Sequence, residues 1–150
     1  MADLLLDDYI DFQLLGITSN LSNSFQFAYY LNASYQTKFK RDFDLDVIVN
    51  NRTIYYSNFI WEDINNHLVF NLIKNAPFQT HISDHDSIHG LFDVSPLLIP
   101  QQKNYNYILK VSGCDYGAQQ VNLPFSLDVN IQSIAAFDVN QIKTIDRLIF

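Results

Sequence analysis

The sequence predicts a single α+β domain spanning residues 1–150: a mostly antiparallel sheet with one or two helices packed on one face, ferredoxin-like in spirit. Three observations carry this. Runs rich in Val, Ile, Leu, Tyr and Phe recur at 9–17, 52–61, 68–74, 107–111 and 134–139, each bounded by turn-forming residues. One early stretch, 23–34, has helical spacing instead. The chain of 150 residues is 48% hydrophobic and 15% aromatic, enough for one core, with no repeat or linker to divide it.

The first strand is expected over 9–17, where Tyr9, Ile10, Phe12, Leu14, Leu15 and Ile17 surround a Gly16 that marks a bulge or a strand end. Ser22 or Ser24 then offers a helix N-cap, with Leu21 placed to staple the start. Phe25, Ala28 and Leu31 define the inner stripe of the helix that follows. Residues 38–49 alternate in part, with Asp42-Phe43-Asp44 a possible turn before a short strand. The runs at 52–61 and 68–74 form a hairpin across the 62–66 loop. Asn50-Asn51 and Asn65-Asn66 favour turns. Residues 81–93 are small and polar and read as a loop. Pro100 opens a polar turn feeding the strand that ends at Ser112-Gly113. Past Pro124, residues 125–131 suit a short helix capped near Ser126, before the last strand at 134–139.

With a formal net charge of -7, a default nucleic-acid binder is disfavoured, since phosphates call for Lys and Arg. The lone Cys114 excludes an internal disulfide and a Cys-based zinc site; the neighbouring Asp115 opposes a reactive thiolate. The first residues lack a basic segment and a sufficient apolar run for a signal peptide, and no stretch approaches the roughly eighteen apolar residues of a membrane helix. A cytoplasmic protein without a membrane partner is expected.

Ile99-Pro100-Gln101-Gln102-Lys103-Asn104-Tyr105-Asn106-Tyr107 resembles the signature of the bacterial IPExxxVDY family, matching its named letters at Ile99, Pro100 and Tyr107. The likeness extends to 11–17, to Leu31-Asn32 and to Leu148-Ile149-Phe150. The resemblance implies a small cytoplasmic protein of Bacteroidota and brings no reaction with it. Gln101, Tyr105 and Asn106 replace the family's Glu, Val and Asp. Neither amide exchanges a proton near neutral pH, so acid–base chemistry at this motif is excluded.

His81, His85 and His89, at four-residue spacing with Asp84 and Asp86 between them, are candidate metal ligands, although Ser83 and Gly90 argue for a solvated loop. Lys38, Lys40 and Arg41 around Phe39 are the candidate nucleic-acid contacts; Asp42, Asp44 and Asp46 offset their field, and a mixed-charge edge strand explains the same residues. No glycine-rich phosphate loop, nucleophile elbow or His-Glu-x-x-His segment occurs, and only four glycines are present. Tyr55, Tyr105 and Tyr107 are the candidate interaction residues, because tyrosine buries area while keeping a polar tip. Period-two alternation places Tyr55 and Tyr56 on opposite faces and Tyr105 and Tyr107 on the same side of their strand. The expected function is a non-enzymatic interaction or regulatory domain that needs no cofactor and uses a protein partner or a second copy. The alternatives are an RNA-associated accessory protein and a metal-dependent enzyme built on the histidine loop.

Overall fold

The computed structural model describes residues 11–78, 96–113 and 122–150. Its strands are β1 (Phe12–Ser19), β2 (Lys40–Arg41), β3 (Leu45–Val49), β4 (Arg52–Tyr56), β5 (Asn58–Asp63), β6 (Leu68–Lys74), β7 (Tyr107–Ser112) and β8 (Ile131–Phe137), with one helix, α1 (Ser24–Ser34). Six strands form one sheet in the order β2-β5-β6-β7-β1-β8, while β3 and β4 pair separately. Every pair is antiparallel. Four such steps, β1 to β7 to β6 to β5 to β2, leave β1 and β2 parallel. Thus β1–α1–β2 is a crossover with the β5–β6–β7 meander inserted between its strands, the α+β arrangement that the sequence predicts. No helix among the described residues is long and apolar enough to cross a membrane.

The helix starts where a short polar side chain replaces missing backbone partners. The Asn23 side chain accepts from the Phe25 and Gln26 N–H groups, so Asn23 is the cap and Ser24 the first helical residue. Phe27, Ala28 and Leu31 face the sheet and join a cluster with Ile17, Phe70 and Leu109. That cluster is ring-rich: Phe27 lies 4.4 Å from Tyr107, and Trp61 stacks on Phe70 at 5.0 Å.

A second cluster closes the opposite face. Phe12, Leu14, Ile73 and Ile108 gather with Val47 and Tyr56 of the β3–β4 hairpin, Leu98 and Ile99, and Ile142, Ile145 and Leu148. The last three belong to a C-terminal stretch containing 3-10 turns at Val139–Gln141 and Ile145–Leu148.

Several boundaries differ from the sequence expectation for identifiable reasons. The 52–61 run divides at Ser57, sending β4 to the small hairpin and β5 to the main sheet. Asn50 and Asn51 both adopt positive φ (51° and 64°), which fits the two-residue turn that matches strand twist. Residues 125–131 form no helix, because Asp128 folds back to accept from the Asn130 and Ile131 N–H groups. Gly16 is neither a bulge nor a strand end. It pairs in mid-strand with Ile108 and Ala135, and a Cβ there would collide with the Phe137 ring and approach Tyr105 Cγ to 2.6 Å. The irregularity in this strand pair sits at Thr18/Ser19 instead. Tyr9 and Ile10, proposed for the first strand, lie outside the described residues.

Candidate functional site

The motif-bearing stretch is a hydrogen-bonded clip. Asn75, 1% exposed at the end of β6, accepts from the Ile99 N–H (2.8 Å) and donates to the carbonyls of Gln102 (3.1 Å) and Tyr105 (3.0 Å). One side chain thereby satisfies three backbone groups around the 3-10 turn at Pro100–Gln102. Asn106 imitates a strand residue: its Oδ1 accepts from Ser19 N–H and its Nδ2 donates to Ser19 O, at 2.9 and 2.8 Å. An aspartate could accept there but not donate. Gln101 points to solvent. The amides at this motif hold backbone in place.

The three tyrosines singled out from sequence are dispersed. Tyr55 is 44% exposed on β4 and its neighbour Tyr56 is fully buried, as alternation requires. Tyr107 is a core residue at 0% exposure, its hydroxyl donating to Leu21 O at 2.6 Å, and burial pushes that phenol's pKa well above its ordinary value. Its side chain belongs to the domain interior and offers no partner contact in this fold. Tyr105 is half-buried on the other face, edge-on to Phe137 at 5.2 Å over Gly16. The expected same-side placement fails because β7 begins only at Tyr107, leaving Tyr105 in the preceding turn.

Lys38 and Lys40 are exposed, whereas Arg41 is already engaged. Its guanidinium pairs with Asp44 and lies over the rings of Phe25 (5.1 Å), Phe59 (5.4 Å) and Phe78 (5.4 Å). A phosphate would have to displace these contacts. The expected mixed-charge edge is what β2 forms. Around it lies an aromatic surface that sequence reasoning missed. Phe25 is 53% and Tyr29 75% exposed, one helical turn apart on α1; Phe43 is 90% and Phe78 39% exposed. The Phe78 N–H donates to Tyr55 O, tying that segment beside β4. No sequence signal collects these rings, since they come from separate elements.

His81, His85 and His89 lie outside the described residues, as does Cys114. Among the described residues, no group of three or more His, Cys, Asp or Glu side chains could hold a metal ion.

Two ionisable sites also emerge from the fold. Lys110 of β7 is 4% exposed, with its Nζ 4.6 Å from the Phe12 ring centroid and 3.7 Å from that of Phe150. Burial pushes the amine down to about 8, against an upward pull from Asp11. Its visible signal was a cation inside the apolar run 107–111. Asp128 accepts from the Tyr30 and Tyr35 hydroxyls as well as from its own turn. Desolvation acts upward on its carboxyl, but these four hydrogen bonds outweigh it and hold the pKa below the ordinary value. The Asp128 bond also raises the Tyr35 phenol. This cluster ties α1 to the approach to β8 and leaves the carboxylate little capacity for catalysis.

No family model, curated protein or solved structure matches the chain.

Proposed function

We propose that this chain is a non-enzymatic interaction domain of the IPExxxVDY family, and that it docks a protein partner through the aromatic surface around Arg41. One observation carries the reading: Arg41 lies against Phe25, Phe59 and Phe78, of which Phe25 and Phe78 remain 53% and 39% exposed, while Tyr29, one helical turn from Phe25, and Phe43, two residues from Arg41, are 75% and 90% exposed. Exposed rings in a group mark contact surfaces, whereas scattered ones need no explanation. The exposed Lys38 and Lys40, with Asp42, Asp44 and Asp46 beyond them, give this surface a mixed-charge rim, which suits an apolar partner segment with a polar surround. The polar side chains best placed for chemistry, Asn75, Asn106 and Asp128, already serve backbone or tyrosine groups, which supports contact over catalysis.

Tyr29 and Phe43 are so exposed that replacing both with serine should leave the thermal midpoint unchanged. A protein crosslinked to the wild-type chain, identified by mass spectrometry and rebound in purified form, should lose affinity for the Tyr29→Ser/Phe43→Ser variant by tenfold or more, by order of magnitude for two interface aromatics. Equal affinity for both proteins would sink the reading.

A further inference from the structure

We infer that Phe25, Phe59 and Phe78, with Asp44, form a cage for an arginine of the partner, and that Arg41 is the internal side chain which that arginine displaces. The inference rests on the aromatic contact surface proposed above and names what the partner brings to it. The cage walls are each held by something other than the guanidinium between them. Phe25 is carried by α1 and stands edge-on to Phe59, with ring centroids 5.3 Å apart. Phe59 is buried in β5, where it pairs with Leu72. Phe78 is placed by its N–H, which donates to Tyr55 O at 2.9 Å. Three parts of the chain fix the rings, so the cage stands when the Arg41 side chain leaves it.

The occupant identifies the chemistry that the cage takes. The Arg41 guanidinium lies 5.1 Å from the Phe25 centroid and 5.4 Å from those of Phe59 and Phe78, and it pairs with the Asp44 carboxylate. Aromatic faces attract cations, and a planar, weakly hydrated guanidinium stacks on rings while hydrogen-bonding a carboxylate. This resident is loosely held. Arg41 belongs to a two-residue edge strand, and its side chain and that of Asp44 are still 33% and 32% exposed. An ion pair so open to water is screened and weak, and Arg41 has only part of the way to go into solvent. Phe25 and Phe78 are exposed, so a second guanidinium reaches the same rings from outside. The net charge of -7 draws basic segments toward the chain. A partner that also covers Tyr29 and Phe43 brings its arginine in with contacts that Arg41 lacks, and these drive the exchange.

Arg41→Ala tests this, because a resident competitor and a supporting contact predict opposite signs. The crosslinked partner, once purified, should bind Arg41→Ala roughly three- to tenfold more tightly than wild type, the factor by which the resident blocks the competent state. Without any partner, methylguanidinium should shift the Phe25 and Phe78 ring signals of Arg41→Ala in NMR titrations at millimolar concentration. Wild type should need roughly tenfold more of this probe, since Arg41 competes at the high effective concentration of a tethered group. Adding Asp44→Asn to Arg41→Ala should weaken the probe several-fold, and methylurea, of the same shape without the charge, should not bind. Arg41→Gln, which keeps much of the side chain and removes the charge, should behave as Arg41→Ala does and replaces it if that variant fails to fold. Partner affinity that is unchanged or weakened by both substitutions overturns the inference. So does a folded variant that binds no methylguanidinium, or that binds methylurea equally well. Each of these failures leaves the aromatic docking reading in place, because that reading depends on Tyr29→Ser/Phe43→Ser.

Discussion

The two faces of the six-stranded sheet are closed by different chemistry. Under α1, the burial is almost wholly apolar and rich in rings, including Phe27, Phe39, Trp61, Phe70 and Tyr107. Across the sheet, the β3–β4 hairpin and irregular chain rather than a helix lie over the strands, and polar groups are buried with the aliphatic ones: Asn58, Asn71 and Lys110 on the strands, and Asn75 at the end of β6. Apolar burial is non-directional, so a helix can settle on rings of approximately the right size. Irregular backbone cannot satisfy its own polar groups, so the second face needs side chains that aim hydrogen bonds at particular atoms.

Substitutions matched in size separate the two regimes. On the helical face, Phe70→Ala should cost about 3–5 kcal/mol in urea unfolding through the cavity it leaves, and Phe70→Leu should recover most of that. On the other face, Asn75→Leu preserves volume yet should cost about 3 kcal/mol, because the Ile99 N–H and the Gln102 and Tyr105 carbonyls lose their partner. An Asn75→Leu variant as stable as wild type would remove the distinction. Next in size, Gly16→Ala should destabilise by about 1–3 kcal/mol, since its methyl group meets the Phe137 and Tyr105 rings. Replacing the blocking ring in the same chain, as Gly16→Ala/Phe137→Leu, should cost less than the sum of the two single changes.

The smallest effect at neutral pH is the most diagnostic of the polar face. Lys110→Met should leave stability unchanged or raise it by about 1–2 kcal/mol, because the desolvation cost of the buried ammonium outweighs the pull of Asp11. The sign with pH follows from the lowered pKa. Below about 8 the amine is protonated in both folded and unfolded chains, and the full cost is present. Between about 8 and 10.5 the folded protein has released a proton that the unfolded chain still holds, so wild-type stability rises with pH. Lys110→Met should flatten that rise in urea titrations at several pH values from about 7.5 to 9.5. Above about 10 the buried Tyr56 and Tyr107 phenols, both pushed up, stay protonated after unfolded tyrosines have ionised, and stability falls again.

The helical face was legible because its signals are local and periodic. Phe25, Ala28 and Leu31 announced α1 to within a residue, and the runs at 68–74 and 107–111 announced β6 and β7. Even there, Phe25 lies 53% exposed, since the stripe toward the sheet is centred on Phe27, Ala28 and Leu31. The second face was not legible. Asn75 looks like a strand-ending turn residue, and nothing in its neighbours says that it will clasp a turn some 25 residues onward. The aromatic setting of Arg41 was hidden for the same reason: Phe25, Phe59 and Phe78 share no periodicity, and chain topology alone gathers them.

By itself the sequence determined the α+β class, the helix, the central strands and the unsuitability of Gln101 and Asn106 for proton transfer, because each follows from short-range spacing or side-chain chemistry. Only the tertiary structure decided that Tyr107 is core while Tyr105 covers Gly16, that Arg41 is held among three rings, and that β2 and β8 stand at opposite ends of the six-stranded sheet. Those outcomes depend on strand order and register, which bring together residues whose separation along the chain carries no local signal.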